Sequence, residues 1–178
     1  MFFFEILLFS ISIVLVSLSI SGYGRLINFQ IKDNLFIDIF LGLIIITFII
    51  TLFHFFYKIS IIFSFSIFIF GLIIFFYKKK FNFLKLFEKK NIFGFVIIFL
   101  YIPMFISQKY HEDFGYYHLP YALGFLEQKI VFGYANIDKS YVYNSIWLNL
   151  YSIFFLNGKN FNFLTFPSYL LFLSFILF

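Results

Sequence analysis

LFIDIFLGLIIITFIITLFHFFYKISIIFSFSIFIFGLIIFFY, residues 35 to 77, holds two apolar runs, Leu35–Phe53 and Ile59–Tyr77, parted only by His54–Lys58. A membrane-spanning helix needs about 20 predominantly apolar residues. Each run is close to that length, and the only charge inside either is Asp38. The pair predicts two spans folded into an antiparallel hairpin, with His54 and Lys58 in a tight turn. An acid as near a span's start as Asp38 predicts a carboxylate that reaches water.

Working outward gives more of the same pattern. Phe2–Ile20 is a first apolar run with Glu5 near its start and no basic residue before it. A secretory signal has a basic n-region, so the run predicts an uncleaved span. Its Ser10, Ser12, Ser17 and Ser19 are expected to bond back to helix carbonyls or to face a neighbouring helix. Ser21–Asn34 (SGYGRLINFQIKDN) predicts a polar connector with Gly22 and Gly24 as breakers. Ile92–Ile106 predicts a fourth span, ended or kinked at Pro103. Ile146–Leu156 is apolar but short: it completes a span with Tyr141–Ser145, or it is re-entrant or interfacial. After a turn at Asn157–Asn162, Phe163–Phe178 predicts a last span. Because the sequence stops within it, at SFILF, the chain is expected to be the N-terminal part of a longer protein.

Composition agrees. Hydrophobic residues make up 63% and charged residues 12%, with a mean hydropathy of +1.00. Soluble domains carry about 25% charged residues, so lipid is the expected solvent. The fold class expected is all-α: a multi-pass transmembrane helical protein of about five to six spans. Residues 1–178 form a single membrane domain, and one extracytoplasmic loop, 109–145, bears short interfacial helices. The residue types in excess, Phe, Ile, Lys, Asn and Tyr, are also those an AT-rich genome favours, so aromatic counts carry little weight.

The net charge of +5 does not indicate nucleic acid, because six of the thirteen basic residues cluster in Lys78–Lys90 (KKKFNFLKLFEKK) between apolar runs. Clustered lysines mark the cytoplasmic side of a membrane protein. They also suit an amphipathic surface helix on anionic lipid. Residues 78–90 are therefore expected in the cytoplasm, and residues 109–143 and the N-terminus outside, in the cytoplasmic (inner) membrane. With no Cys in the chain, disulfides and thiolate metal sites are excluded.

Lys109–Trp147 (KYHEDFGYYHLPYALGFLEQKIVFGYANIDKSYVYNSIW) is the one long polar stretch. It holds Glu112, Asp113, Glu127 and Asp138, four of the eight carboxylates, two of the three histidines, and the only tryptophan. Pro120–Val131 suits a short amphipathic helix on the membrane surface. Tyr116, Tyr117, Tyr121, Tyr134, Tyr141, Tyr143 and Trp147 form an interfacial belt or stack on sugar rings. Lys109, Lys129 and Lys139 pair with a lipid phosphate or lie among headgroups. His111, Asp113 and His118 offer hard or borderline ligands for Mn, Mg or Zn, although their spacing matches no strong metal motif. A divalent metal is the only cofactor this pattern suggests.

The pattern Asp113-x-x-x-Tyr117-His118-Leu119, then Gly133, Asn136 and Asn144-Ser145-x-Trp147, resembles the first large outer loop of bacterial polytopic proteins related to GT-C-type glycosyltransferases. SGYGRLIN, Ser21–Asn28, is similar to the early connector of an uncharacterised branch of that group. The resemblance implies transfer of a sugar from a polyprenyl-phosphate carrier to a cell-envelope glycan or lipid. It implies an acidic residue of the outer loop that activates the acceptor, and Asp113 occupies that position as the expected catalytic base; Glu112 competes for the role, and His118 is expected to orient the carboxylate or the phosphate, by hydrogen bond or through a metal. Lys109, Tyr117, Asn136, Asn144 and Trp147 are the residues expected to bind substrate. The alternative is a non-catalytic subunit of polysaccharide export, or a flippase component, that binds glycolipid with the same loop. The partners expected are the bilayer and a polyprenyl-phosphate-linked sugar, with no nucleic acid.

Overall fold

The computed structural model describes residues 2–28, 34–77, 88–100, 102–103, 114–133, 136, 146–155 and 164–177. Among these the regular structure is entirely helical. In chain order the helices are α1 (Phe2–Gly24), α2 (Leu35–His54), α3 (Ile61–Tyr77), α4 (Lys89–Leu100), α5 (Leu119–Glu127), α6 (Ile146–Ile153) and α7 (Phe166–Leu177). A π-helical turn, Phe114–His118, leads into α5. Among the described residues two helical segments, Leu7–Gly24 and Leu35–His54, are long and apolar enough to cross a membrane.

The first three helices form the body of the fold, but α2 and α3 are not a packed hairpin. They meet at their shared turn, where the Phe53 and Phe63 rings stack 3.8 Å apart, while α1 packs against both. The reason lies in the glycines expected to break the chain. Gly22 and Gly24 lie inside α1, and each marks a place where backbones touch. A Cβ on Gly22 would overlap the Gly71 carbonyl of α3, and one on Gly24 the Asp38 carbonyl of α2; one on Gly42 would likewise overlap the Ile20 carbonyl of α1. Small residues allow helix backbones to approach this closely. Polar side chains reinforce it. Ser19 donates to the Phe68 carbonyl at 2.7 Å, and the buried Tyr23 hydroxyl to the Ile67 carbonyl at 2.7 Å.

Other serines and threonines bond within their own helices. Ser12 and Ser17 donate to Leu8 and Ile13, and Thr47, Thr51 and Ser174 donate to the carbonyls four residues back. A hydroxyl satisfied in this way needs no water. Opposite these faces the bundle is greasy: Phe40, Ile44, Phe48 and Leu52 of α2 are all exposed at intervals of four residues.

α6 and α7 meet through side chains. Trp147 Nε1 donates to Ser168 Oγ at 3.3 Å, the Tyr151 hydroxyl shares a hydrogen bond with the same oxygen, and Phe154 meets Phe166 edge-on at 6.1 Å. Asn149 lies beside the last turn of α2, and Phe154 lies beside Phe68, halfway down α3. α6 thus points from the His54 end of the bundle into its interior. Its eight residues cover only about 12 Å.

Candidate functional site

Two buried polar nodes sit at opposite ends of the bundle. At one end, Asp38 is 4% exposed instead of reaching water. Its carboxylate accepts from Arg25 Nε at 3.2 Å and from Asn28 Nδ2 at 2.6 Å. The Arg25 guanidinium also donates to the Phe75 carbonyl at 3.0 Å and lies 3.8 Å from the centre of the Phe75 ring. Arg25 and Asn28 belong to the SGYGRLIN stretch, so its polar residues tie α1, α2 and α3 together. The arrangement is that of a clamp: each of these charged groups spends bonding capacity on protein.

At the other end, His54 closes α2 and is fully buried. Its Nδ1 lies 2.8 Å from Asn149 Oδ1 of α6, and its Nε2 lies 3.1 Å from the Gln128 carbonyl. Phe125 of α5 meets the imidazole edge-on at 4.6 Å. Around this node the backbone is laced across elements. Ile59 N–H donates to the Phe125 carbonyl at 2.9 Å, and Ile130 N–H to the His54 carbonyl at 3.0 Å. Ser152 donates to the Ala122 carbonyl at 3.2 Å, joining α6 to α5. The His54–Lys58 turn and the polar stretch, both expected on one side of the membrane, thus meet at one end of the bundle.

α5 realises most of the amphipathic helix expected over Pro120–Val131. Pro120 sits in its first turn, where a missing N–H costs nothing. Ala122 and Phe125 are its buried face. It stops at Glu127, after which Gln128 is extended and turns its carbonyl to His54.

The residues expected to do chemistry distribute as follows. Lys109, His111, Glu112, Asp113 and Asn144 lie outside the described residues, as does most of Lys78–Lys90. Tyr117 belongs to the π-helical turn, with its side chain outside the described set. His118 ends that turn and is exposed. Asn136 is exposed and closes a turn, its N–H donating to the Gly133 carbonyl at 2.9 Å. Gly133 has φ +89, the left-handed region that glycine reaches without strain. Trp147 is half-buried and engaged with Ser168, which makes it a packing residue of the α6–α7 pair. Tyr116 is 78% exposed, in a position to lie in a membrane interface or against a ligand. Of the metal trio only His118 is among the described residues, and these hold no cluster of three ligand side chains.

Sequence reasoning passed over His54 and Asn149 as a pair. The available signal was a histidine at the end of one apolar run and an asparagine inside another, since polar groups buried there need partners.

A family model described as "Domain of unknown function (DUF8201)" matches residues 4–178, and the chain belongs to that family. No curated protein and no solved structure matches it.

Proposed function

We propose that this member of the DUF8201 family is a multi-pass protein of the cytoplasmic membrane that transfers a sugar from a polyprenyl-phosphate carrier to a cell-envelope glycan or lipid. The observation that carries the membrane half is the sidedness of α2. Its 20 residues extend about 30 Å, the thickness of a hydrocarbon core. One face is a continuous apolar stripe, Phe40, Ile44, Phe48 and Leu52, turned outward. Thr47 and His54 are turned inward. In water that stripe would be a liability; in lipid it is the surface the solvent demands. α1, α3 and α4 complete the crossing set, and α6 with α7 enters from the His54 end as a re-entrant pair. The lysines of 78–90 orient this assembly with the His54 end outside.

The transferase half rests on the resemblance of the 113–147 pattern to GT-C-type outer loops. It is supported by the way α5 and the segment after it are fastened to the His54 end; on this reading that end is where a membrane-anchored phosphate meets water. Asp113 takes the proton of the acceptor hydroxyl as the sugar leaves its phosphate. Glu112 is the competing base, and His118 orients the carboxylate or the phosphate. A positioned base contributes about a hundred- to ten-thousandfold. The test is transfer of radiolabelled sugar from polyprenyl-phosphate donor by membranes carrying the full protein. Asp113→Asn is expected to lose activity within that range at normal expression. Full activity in both Asp113→Asn and Glu112→Gln rejects the catalytic reading. Donor binding retained without any transfer by the parent protein favours the glycolipid-binding alternative.

A further inference from the structure

His54 is set between two oxygen atoms, and the direction of each hydrogen bond can be worked out. The Gln128 carbonyl, 3.1 Å from Nε2, can only accept. The Asn149 amide is oriented from its far side: the Thr51 hydroxyl donates to the Thr47 carbonyl at 2.8 Å, which leaves the Thr51 oxygen to accept from Asn149 Nδ2 at 3.4 Å. That turns Asn149 Oδ1 toward His54 Nδ1 at 2.8 Å. Both ring nitrogens therefore face acceptors. A neutral imidazole has one N–H and one lone pair, so it satisfies one oxygen and sets a lone pair against the other. An imidazolium has two N–H groups and satisfies both.

We propose that His54 is a proton-binding site whose occupancy latches Gln128 and Asn149, and with them α5 and α6, onto the end of α2. Among the described residues no other ionisable group shares the proton. Within α2 the other charge is Asp38, sixteen residues away at the opposite end. The turn contributes Tyr57 and Lys58, and the segment around Gln128 contributes Glu127 and Lys129, all exposed. α5 carries Tyr121, α6 Tyr151 and α7 Tyr169, whose hydroxyl reaches the Ile97 carbonyl. Among the described residues no carboxylate lies within ion-pair distance of the ring. The cation is held by dipoles: a carbonyl, an amide and the C-terminal end of α2, where the helix dipole favours positive charge. The inference is independent of the transferase reading.

The single tryptophan is a built-in reporter, because Trp147 lies in α6 two residues from Asn149. The experiment is Trp147 emission against pH for the full chain in phosphatidylcholine vesicles, which do not titrate in the range where histidine does, about pH 5 to 8. The wild type should show one single-proton transition. It should survive the double change His111→Gln/His118→Gln and vanish in His54→Gln. In Asn149→Asp, which sets a carboxylate against the ring, the midpoint should move to higher pH by about one unit or more. A flat wild-type profile, a transition that persists in His54→Gln, or a midpoint unmoved by Asn149→Asp overturns the proposal. The last readout stands even if His54→Gln fails to fold.

Discussion

Gly22 of α1 faces Gly71 of α3 so closely that a Cβ on either residue would overlap atoms of the other helix. At Gly22 the obstacle is backbone, so no side chain can swing aside to relieve it. Gly24 against Asp38 and Gly42 against Ile20 repeat the arrangement on the α1–α2 side. A helix with close approaches on two faces is held as the middle member of three.

Gly22→Ala and Gly71→Ala should each destabilise the protein by about 1–3 kcal/mol through overpacking. At Gly115 and Gly124 nothing lies within 4 Å of the point a Cβ would occupy, so Ala there should leave packing untouched. Thermal unfolding in detergent, compared across the four variants, checks this. Equal melting of Gly22→Ala and Gly124→Ala would show that the helices do not meet as described.

Arg25 and Asp38 should behave as a buried pair. Their side chains are 18% and 6% exposed, and removing one partner of such a pair costs about 3–5 kcal/mol because the other charge is stranded. Asp38→Asn and Arg25→Met should each fall in that range, and the double change Arg25→Met/Asp38→Leu should cost less than either. Arg25→Lys should rescue little, because one ammonium cannot donate in two fixed directions to Asp38 and to the Phe75 carbonyl. A double-mutant cycle with no coupling would contradict the clamp.

The re-entrant reading of α6 and α7 predicts sidedness. With no native cysteine to interfere, single cysteines at Tyr57, Phe132 and Phe175 should all react with an impermeant maleimide added outside, and one at Glu88 should not. Labelling of the Phe175 site only from the cytoplasm would make α7 a full crossing. An outside-reactive cysteine at Glu88 would invert the whole arrangement.

Trp147 should prove structural. Trp147→Phe removes the N–H that reaches Ser168 and is expected to lower stability by about 0.5–1.5 kcal/mol. Donor affinity, measured by equilibrium binding of polyprenyl-phosphate sugar, should stay within about twofold of wild type, because the indole is occupied with α7. A large loss of affinity at unchanged melting temperature would return Trp147 to the substrate site.

Much of the helical layout could be read from the chain itself. The apolar runs at Leu35–Phe53 and Ile59–Tyr77 place α2 and α3 within a few residues of where they stand, because hydropathy over some twenty residues is a local property. The turn at His54–Lys58 and the short helix behind Pro120 were legible for the same reason. Tertiary structure alone decided which helices touch. Gly22 and Gly24 look like breakers in sequence, since a missing side chain signals flexibility as readily as closeness; only the backbones of α2 and α3 beside them make closeness the answer. Asp38 looks solvated until Arg25 and Asn28 fold back onto it. His54 and Asn149 lie 95 residues apart, and no periodicity links them. Their meeting depends on α6 entering the bundle beside the end of α2, where a buried ring nitrogen has to find a hydrogen-bond partner.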